Sequence, residues 1–330
     1  MYERSIFIIV TALLASGCTV AQEVPIVDDN IAMAERASLQ ELFPVEEARP
    51  PEPFEPWSET FARESLGIAL IEQTENYFNN NSVENCQWEP KAYSQEPLED
   101  LDNLQLVMDQ TSIIFCDLLE DDPIVIVSQY HYVDDVLEDL NRPTDDHGGI
   151  CGSPGSGGST GCALYHSSWI SDSLTGESRL AITAHEMFHN VQDVVNKGLP
   201  VWRIPPGHAL AIPMWFFEGT AVTYQYALMD YLGLAEKRYY EHDFSSRMLR
   251  PYPDTAIDLS SVETGWGMDV YVVGHFATEY LVANVGLQPM LNIVEEVGNE
   301  TPFYKAFEQE IGMSLSDFYS KMERVQLLEN

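Results

Sequence analysis

Apolar positions in the second half of the chain fall into helical stripes. Leu180, Ala184, Phe188, Val191 and Val195 recur at three- and four-residue spacing and predict a helix over about 179–196, with Gly198 and Pro200 as stop signals. A second helix is predicted over 213–231, opened by Pro213, which suits a first helical turn, and closed before Gly233. A third covers Met268 to Val285, ahead of Gly286. Residues 303–307 and 315–322 predict a closing helical pair around Gly312.

The first half is more mixed. Phe61, Leu66, Ala69, Leu70 and Tyr77 predict a helix over about 59–79, ended by Asn79-Asn80-Asn81-Ser82. Ile124-Val125-Ile126-Val127 follows Asp121-Asp122-Pro123 and reads as a buried strand. Val133, Val136 and Leu140 predict a helix closed by Pro143. Residues 148–161 are a glycine-rich loop, and Ala163-Leu164-Tyr165-His166 predict the strand that leaves it. That loop is no phosphate cradle, because no Gly-Lys-Ser/Thr follows it. The expected fold class is α+β: a small N-terminal mixed β-sheet with helices, then a mostly helical C-terminal half.

Composition narrows the function. The chain of 330 residues carries 53 acidic against 16 basic side chains, a formal net charge of -37. Such a surface repels phosphates, so nucleic acid is excluded as a partner. Arg4 precedes an apolar run, residues 6–15, too short for a permanent membrane helix. It ends in Leu14-Ala15-Ser16-Gly17-Cys18, which resembles the bacterial lipobox, where the cysteine is acylated and becomes the mature N-terminus. Residues 1–18 then read as a lipoprotein signal peptide, 19–57 as an acidic, proline-rich linker and 58–330 as one catalytic domain. Thr19, not Asp, follows the cysteine; by resemblance to lipoprotein sorting in Gram-negative bacteria this implies lipid anchoring in the outer membrane of the cell envelope, facing periplasm or surface. Four further cysteines, Cys86, Cys116, Cys151 and Cys162, fit two disulfides in an exported protein, with three connectivities open. Cys151–Cys162 is favoured because it closes the glycine-rich loop, and Cys86–Cys116 then follows. The four lack the paired C-x-x-C spacing of a zinc site.

The candidate chemistry sits in His185-Glu186-Met187-Phe188-His189. Histidines four residues apart on a helix lie one turn apart on one face, so both imidazoles reach one ion, and Glu186 is placed as general base. His185, His189 and Gln192 share that face, opposite the apolar stripe. Catalytic zinc takes three protein ligands and a water. Pro213-Met214-Trp215-Phe216-Phe217-Glu218-Gly219-Thr220-Ala221 holds one carboxylate in an otherwise apolar helix start. A carboxylate buried there costs several kcal/mol unless a cation or strong donors meet it, so Glu218 is the third candidate ligand.

With HExxH followed by Trp215-x-x-Glu218-Gly219-x-Ala221, the chain resembles the gluzincin peptidases, the thermolysin-like clan that includes the aminopeptidase N type. The resemblance covers about residues 120–325, with strong identity only at the motifs. It implies a zincin-like fold, one Zn2+ per chain held by His185, His189 and Glu218, and hydrolysis of a peptide or protein substrate by a monomer. Tyr271-Val272-Val273-Gly274 is similar to the Tyr-x-x-Gly segment whose tyrosine stabilises the transition state, which implies that role for Tyr271; His275, Tyr224 and His208 are the other candidates. The Gly-x-Met-Glu-Asn exopeptidase motif is missing, which points to an endopeptidase. Asp193 and Asp269 are the candidates for orienting the imidazoles. The competing class is a non-catalytic, peptidase-like lipoprotein that binds peptide or envelope components.

Overall fold

Four β-branched residues in a row need cover on both faces, and residues 124–127 have it. The computed structural model describes residues 53–94, 97–119, 122–128, 133–139, 162–164, 167–172, 174–198, 204, 208–235, 259–263 and 268–328. Expectations on Cys18, on the linker through residue 52, and on Cys151 fall outside them, as does the side chain of Cys162 and hence its proposed pairing. In chain order the elements are β1 (Thr60–Ala62), α1 (Arg63–Asn81), β2 (Lys91–Ser94), α2 (Leu101–Ile114), β3 (Ile124–Ser128), α3 (Val133–Asp139), β4 (Cys162–Leu164) and β5 (Ser167–Ser171). Then come α4 (Gly176–Val195), α5 (Met214–Tyr231), a 3-10 turn (Leu259–Val262), α6 (Met268–Val285), α7 (Gln288–Gly298), α8 (Phe303–Ile311), α9 (Leu315–Met322) and β6 (Gln326–Leu328). The architecture is mostly helical α+β.

The main sheet has the order β2-β3-β5-β4. β2, β3 and β5 run parallel, and β4 pairs antiparallel with β5 at one edge. The central strand β3 is buried along its whole length, as its continuous apolar run requires. Its Val125 and Val127 join the large helical core, while Ile124 and Ile126 face a smaller cluster with Val133, Leu137 and Trp169.

The largest shift of a predicted boundary is at the first helix. The first helix starts at Arg63 instead of near residue 59, because residues 60–62 pair in parallel with β6 at the far end of the chain. Phe54 and Trp57 pack edge-on against Tyr280, on which Phe61 stacks. Five elements, β2, α2, β5, α7 and β6, appear where no periodicity had predicted them.

The expected Cys86–Cys116 disulfide is present, with Cα atoms 5.6 Å apart. It ties the chain after α1 to the end of α2 across 30 residues, a loop whose closure stabilises by roughly 3–4 kcal/mol. No helix among the described residues is long and apolar enough to cross a membrane.

Three helices position the site. α4 packs against β5, α2, α5 and α7, and α5 lies between α4 and α6. The α5–α6 contact is the most extensive in the structure, and two glycines make it possible. A Cβ on Gly219 would sit 2.4 Å from the Gly274 carbonyl oxygen, and one on Gly274 would sit 2.4 Å from that of Trp215. Thr223 and Thr278 close the same seam with hydroxyls 2.8 Å apart. Backbone-to-backbone approach of this kind leaves no room for any side chain.

Candidate metal centre

The apolar stripe of α4 docks as its spacing predicts. Leu180, Ala184, Phe188, Val191 and Val195 are all buried, with Phe188 stacked on Tyr224 at 4.6 Å. The opposite face is buried as well: His185 is 5% exposed, Glu186 6%, His189 6% and Gln192 1%. A helix covered on every side with polar groups on one of them must satisfy those groups internally. α5 adds a carboxylate to the same place. Glu218 is 6% exposed among Trp215, Phe216 and Phe217, which are at most 1% exposed.

The three predicted ligands converge. His189 Nε2 lies 3.0 Å from His185 Nε2, and Glu218 Oε2 lies 3.2 Å from each. One ligand atom from each residue is within 4.8 Å of the others, and this buried set is placed to hold a metal ion. Protons alone fit it poorly, because three electron-rich atoms then share few hydrogens at close range. A cation at the centre satisfies all three.

The surroundings orient His189 tightly. Its ring stacks on Phe217, with centroids 4.7 Å apart and planes 11° apart. Its Nδ1 lies 2.6 Å from Gln192 Oε1. Gln192 Nε2 in turn donates to the Phe217 carbonyl oxygen at 3.1 Å and to Thr220 Oγ1 at 2.8 Å. Asp193, one turn past His189, is not the residue that meets Nδ1. The expectation of an acid in that role gives way to Gln192, whose i+3 position reaches the ring. Asp193 is instead a buried acid, pushed up to about 7 by desolvation against the opposing charge of His189. The side chain of Asp269 lies outside the described residues. His185 Nδ1 is buried without a hydrogen-bond partner among the described residues.

The cluster's electrostatics follow from burial and mutual charge. Burial lowers the pKa of His189, but the charge and hydrogen bond of Glu218, with smaller help from Glu186 and Gln192, lift it to about 9. Burial raises the carboxyl of Glu218, yet His189 and His185 outweigh this and hold it well below the usual carboxylate range. Metal-free, the pocket therefore holds a proton where a cation would sit.

Tyr271, on α6, is half-buried with its ring centroid 6.3 Å from that of His185. Burial, then the charges of Glu218 and Glu186, raise its hydroxyl above the ordinary phenol range. Its helix neighbours Val270 and Phe276 go to the core. The alternatives are placed differently. Tyr224 is fully buried and donates to Thr111 Oγ1 at 2.9 Å, which makes it a core residue. His275, one turn along α6 from Tyr271, is buried with its ring 5.6 Å from that of Tyr226. His208 is exposed, and its Nδ1 accepts from the Leu210 N–H.

Sequence reasoning missed Gln192 as the orienting group, Phe217 as the stacking face and Gly219–Gly274 as the seam that brings Tyr271 close. Gln192 left a signal, its place on the histidine face, but the adjacent acid was equally plausible by spacing. Comparison with known proteins found no family model, no curated protein and no solved structure that matches this chain.

Proposed function

We propose that the chain is a zinc-dependent peptidase of the gluzincin kind with a zincin-like fold, most simply an endopeptidase. The observation that carries this reading is the buried triangle of His185, His189 and Glu218 with Glu186 on the same helix turn. A tetrahedral zinc with ligand bonds of about 2.0–2.1 Å sets its ligand atoms about 3.3–3.4 Å apart. The triangle's edges are 3.0, 3.2 and 3.2 Å, close to that spacing. Two nitrogens and one oxygen form a donor set suited to zinc and leave a fourth position for water.

When bound, zinc would polarise a peptide carbonyl and bring the pKa of water toward about 7. Glu186, buried beside the ligands, takes the proton from the attacking water and returns it to the leaving amine. Tyr271 keeps its proton throughout, since burial and two nearby carboxylates hold its hydroxyl in the neutral form. That hydroxyl is therefore a hydrogen-bond donor to the developing oxyanion. An extended substrate would lie along β4, the edge of the sheet, which packs beside α4. Acylation at Cys18 would tether the enzyme to the envelope, with residues 19–57 as spacer.

The test is metal content per chain in purified protein beginning after Cys18, beside a His185→Ala variant. About one zinc in the parent and little in the variant supports the centre. Glu186→Gln should then keep its zinc and lose hydrolysis of a mixed peptide substrate. A parent that takes up no zinc after dialysis against it overturns the reading. A parent that binds zinc yet cleaves nothing moves the chain to the peptide-binding lipoprotein.

A further inference from the structure

We infer that Gln192 is a positioning residue that fixes which nitrogen of His189 carries the proton and locks the two ligand-bearing helices together. The inference rests on the metal reading above and adds a residue to it. Its basis is the direction of the amide. Thr220 Oγ1 lies within reach of the carbonyl oxygens of Phe216, at 2.8 Å, and Phe217, at 3.0 Å, and donates its hydrogen there. Toward Gln192 it can therefore only accept. The Phe217 carbonyl is an acceptor in any case. Both partners thus require the NH2 group of Gln192 on their side, at 2.8 and 3.1 Å. Turning the amide over would set two oxygens 3.1 Å apart with no hydrogen between them. Oε1 must then be the atom that faces His189 Nδ1 at 2.6 Å, and Nδ1 must donate to it. With Nδ1 committed to Gln192, Nε2 is the nitrogen that faces His185 and Glu218 and that yields its proton to a metal, the tautomer that a metal ligand needs.

The same amide spans two helices. Gln192 and His189 belong to α4, and Phe217 and Thr220 flank Glu218 on α5. One side chain thereby holds one ligand's ring and, on either side of another ligand, a backbone carbonyl and a threonine hydroxyl. Phe217 contributes twice, through its carbonyl and through the ring stacked on His189. Displacement of either helix would be felt by both ligands at once, so the site behaves as a unit.

Two substitutions separate the parts. Gln192→Leu keeps the volume and removes both functions. Gln192→Glu keeps an acceptor for Nδ1 and loses the donation to Phe217. Zinc affinity is measured by competition with a chelator, and the exchangeable proton on His189 Nδ1 is followed in 15N-labelled, zinc-loaded protein. The parent should show that proton. In Gln192→Leu that proton should exchange with water too fast to be seen, and zinc should bind roughly 10–100-fold more weakly. Gln192→Glu should retain the proton and bind zinc more tightly than the leucine variant, while melting below the parent. A leucine variant with parental affinity and an equally slow-exchanging Nδ1 proton overturns the inference. If the leucine variant does not fold, absence of the Nδ1 proton in Gln192→Glu overturns it instead. A parent that binds no zinc overturns the metal reading itself, a result distinct from a zinc-binding parent whose variants behave alike.

Discussion

Glu218 and Glu279 are buried carboxylates on adjacent, tightly packed helices, and they are satisfied in opposite ways. Glu279 is 0% exposed and meets the Arg63 guanidinium at 2.6 Å. Among the described residues Glu218 meets only two imidazoles, which are charged solely when protonated and which crowd each other at 3.0 Å. Asp100, half-buried just ahead of α2, follows the first pattern, paired with Arg179, which also donates to the Leu174 carbonyl oxygen. An acid facing a guanidinium is neutralised by the fold for as long as the fold exists. An acid facing imidazoles is neutralised by whatever cation reaches it, whether a proton or a metal. The first arrangement serves architecture and the second serves binding.

The largest effects test that division directly. Breaking an ion pair this deep by Glu279→Gln takes the carboxylate away from the half-buried Arg63 guanidinium, which costs up to about 3–5 kcal/mol. Thermal unfolding should show this while zinc per chain stays at the parental value. Glu218→Gln should do the reverse, losing zinc but changing the stability of the metal-free protein by only about 1 kcal/mol, since a costly buried charge goes with it. If both substitutions lowered stability alike and neither touched zinc content, the contrast between the two acids would be empty. Next in size is Tyr271→Phe, on the same helix as Glu279 but at the end that meets His185. It should lower kcat by roughly 10²–10³, with KM, zinc content and melting temperature near parental values. An unchanged kcat would return Tyr271 to a packing role.

The two acids were not equally legible in the sequence. Glu218 stood out as a lone charge in an apolar run, and His185 with His189 as a pair one turn apart, so local spacing revealed the ligands. Helix limits on α6 and α9 were legible for the same reason, an unbroken stripe with a clear stop. Glu279 was not, because its partner Arg63 is on α1, and nothing local tells that the two meet. Likewise Thr60-Phe61-Ala62 read as helix because its strand partner is at the other end of the chain. β5 carries Ser167, Ser168 and Ser171 around Trp169-Ile170, too polar to announce a buried strand. Gly219 and Gly274 were seen as motif letters, while their purpose is a contact between helices. Gly219→Ala should cost about 1–3 kcal/mol, because the obstacle is backbone that cannot rotate away. It should also weaken zinc binding through the displaced Glu218. Full retention of both properties would show that α5 and α6 separate without loss.

The smallest effect is the most discriminating, because only one of the two acids has a partner that can lose its proton. Arginine stays charged across the accessible pH range, so the guanidinium that faces Glu279 has no proton to lose there. In the metal-free protein His189 is held at about 9, above its ordinary 6.5: burial lowers it, and the charge and hydrogen bond of Glu218 more than offset this. A folded value raised above the unfolded one contributes stability that is complete below 6.5 and lost as pH rises through 9. Asp193, raised from 3.8 to about 7, acts in the same direction, but between those two values and so mostly below that window. The metal-free protein should therefore melt a few degrees lower at pH 9 than at pH 6.5. Zinc must displace the same proton, so its dissociation constant should fall by up to roughly tenfold per pH unit over that window and level off above it. The stabilisation that zinc confers then grows where metal-free stability declines. Glu218→Gln, which removes the main cause of the raised value, should flatten both trends. Glu279→Gln, though far more destabilising, should leave both slopes as they are. A metal-free melting temperature independent of pH, with zinc affinity equally flat, would mean that no proton occupies the triangle and that Glu218 is balanced by the fold in the manner of Glu279.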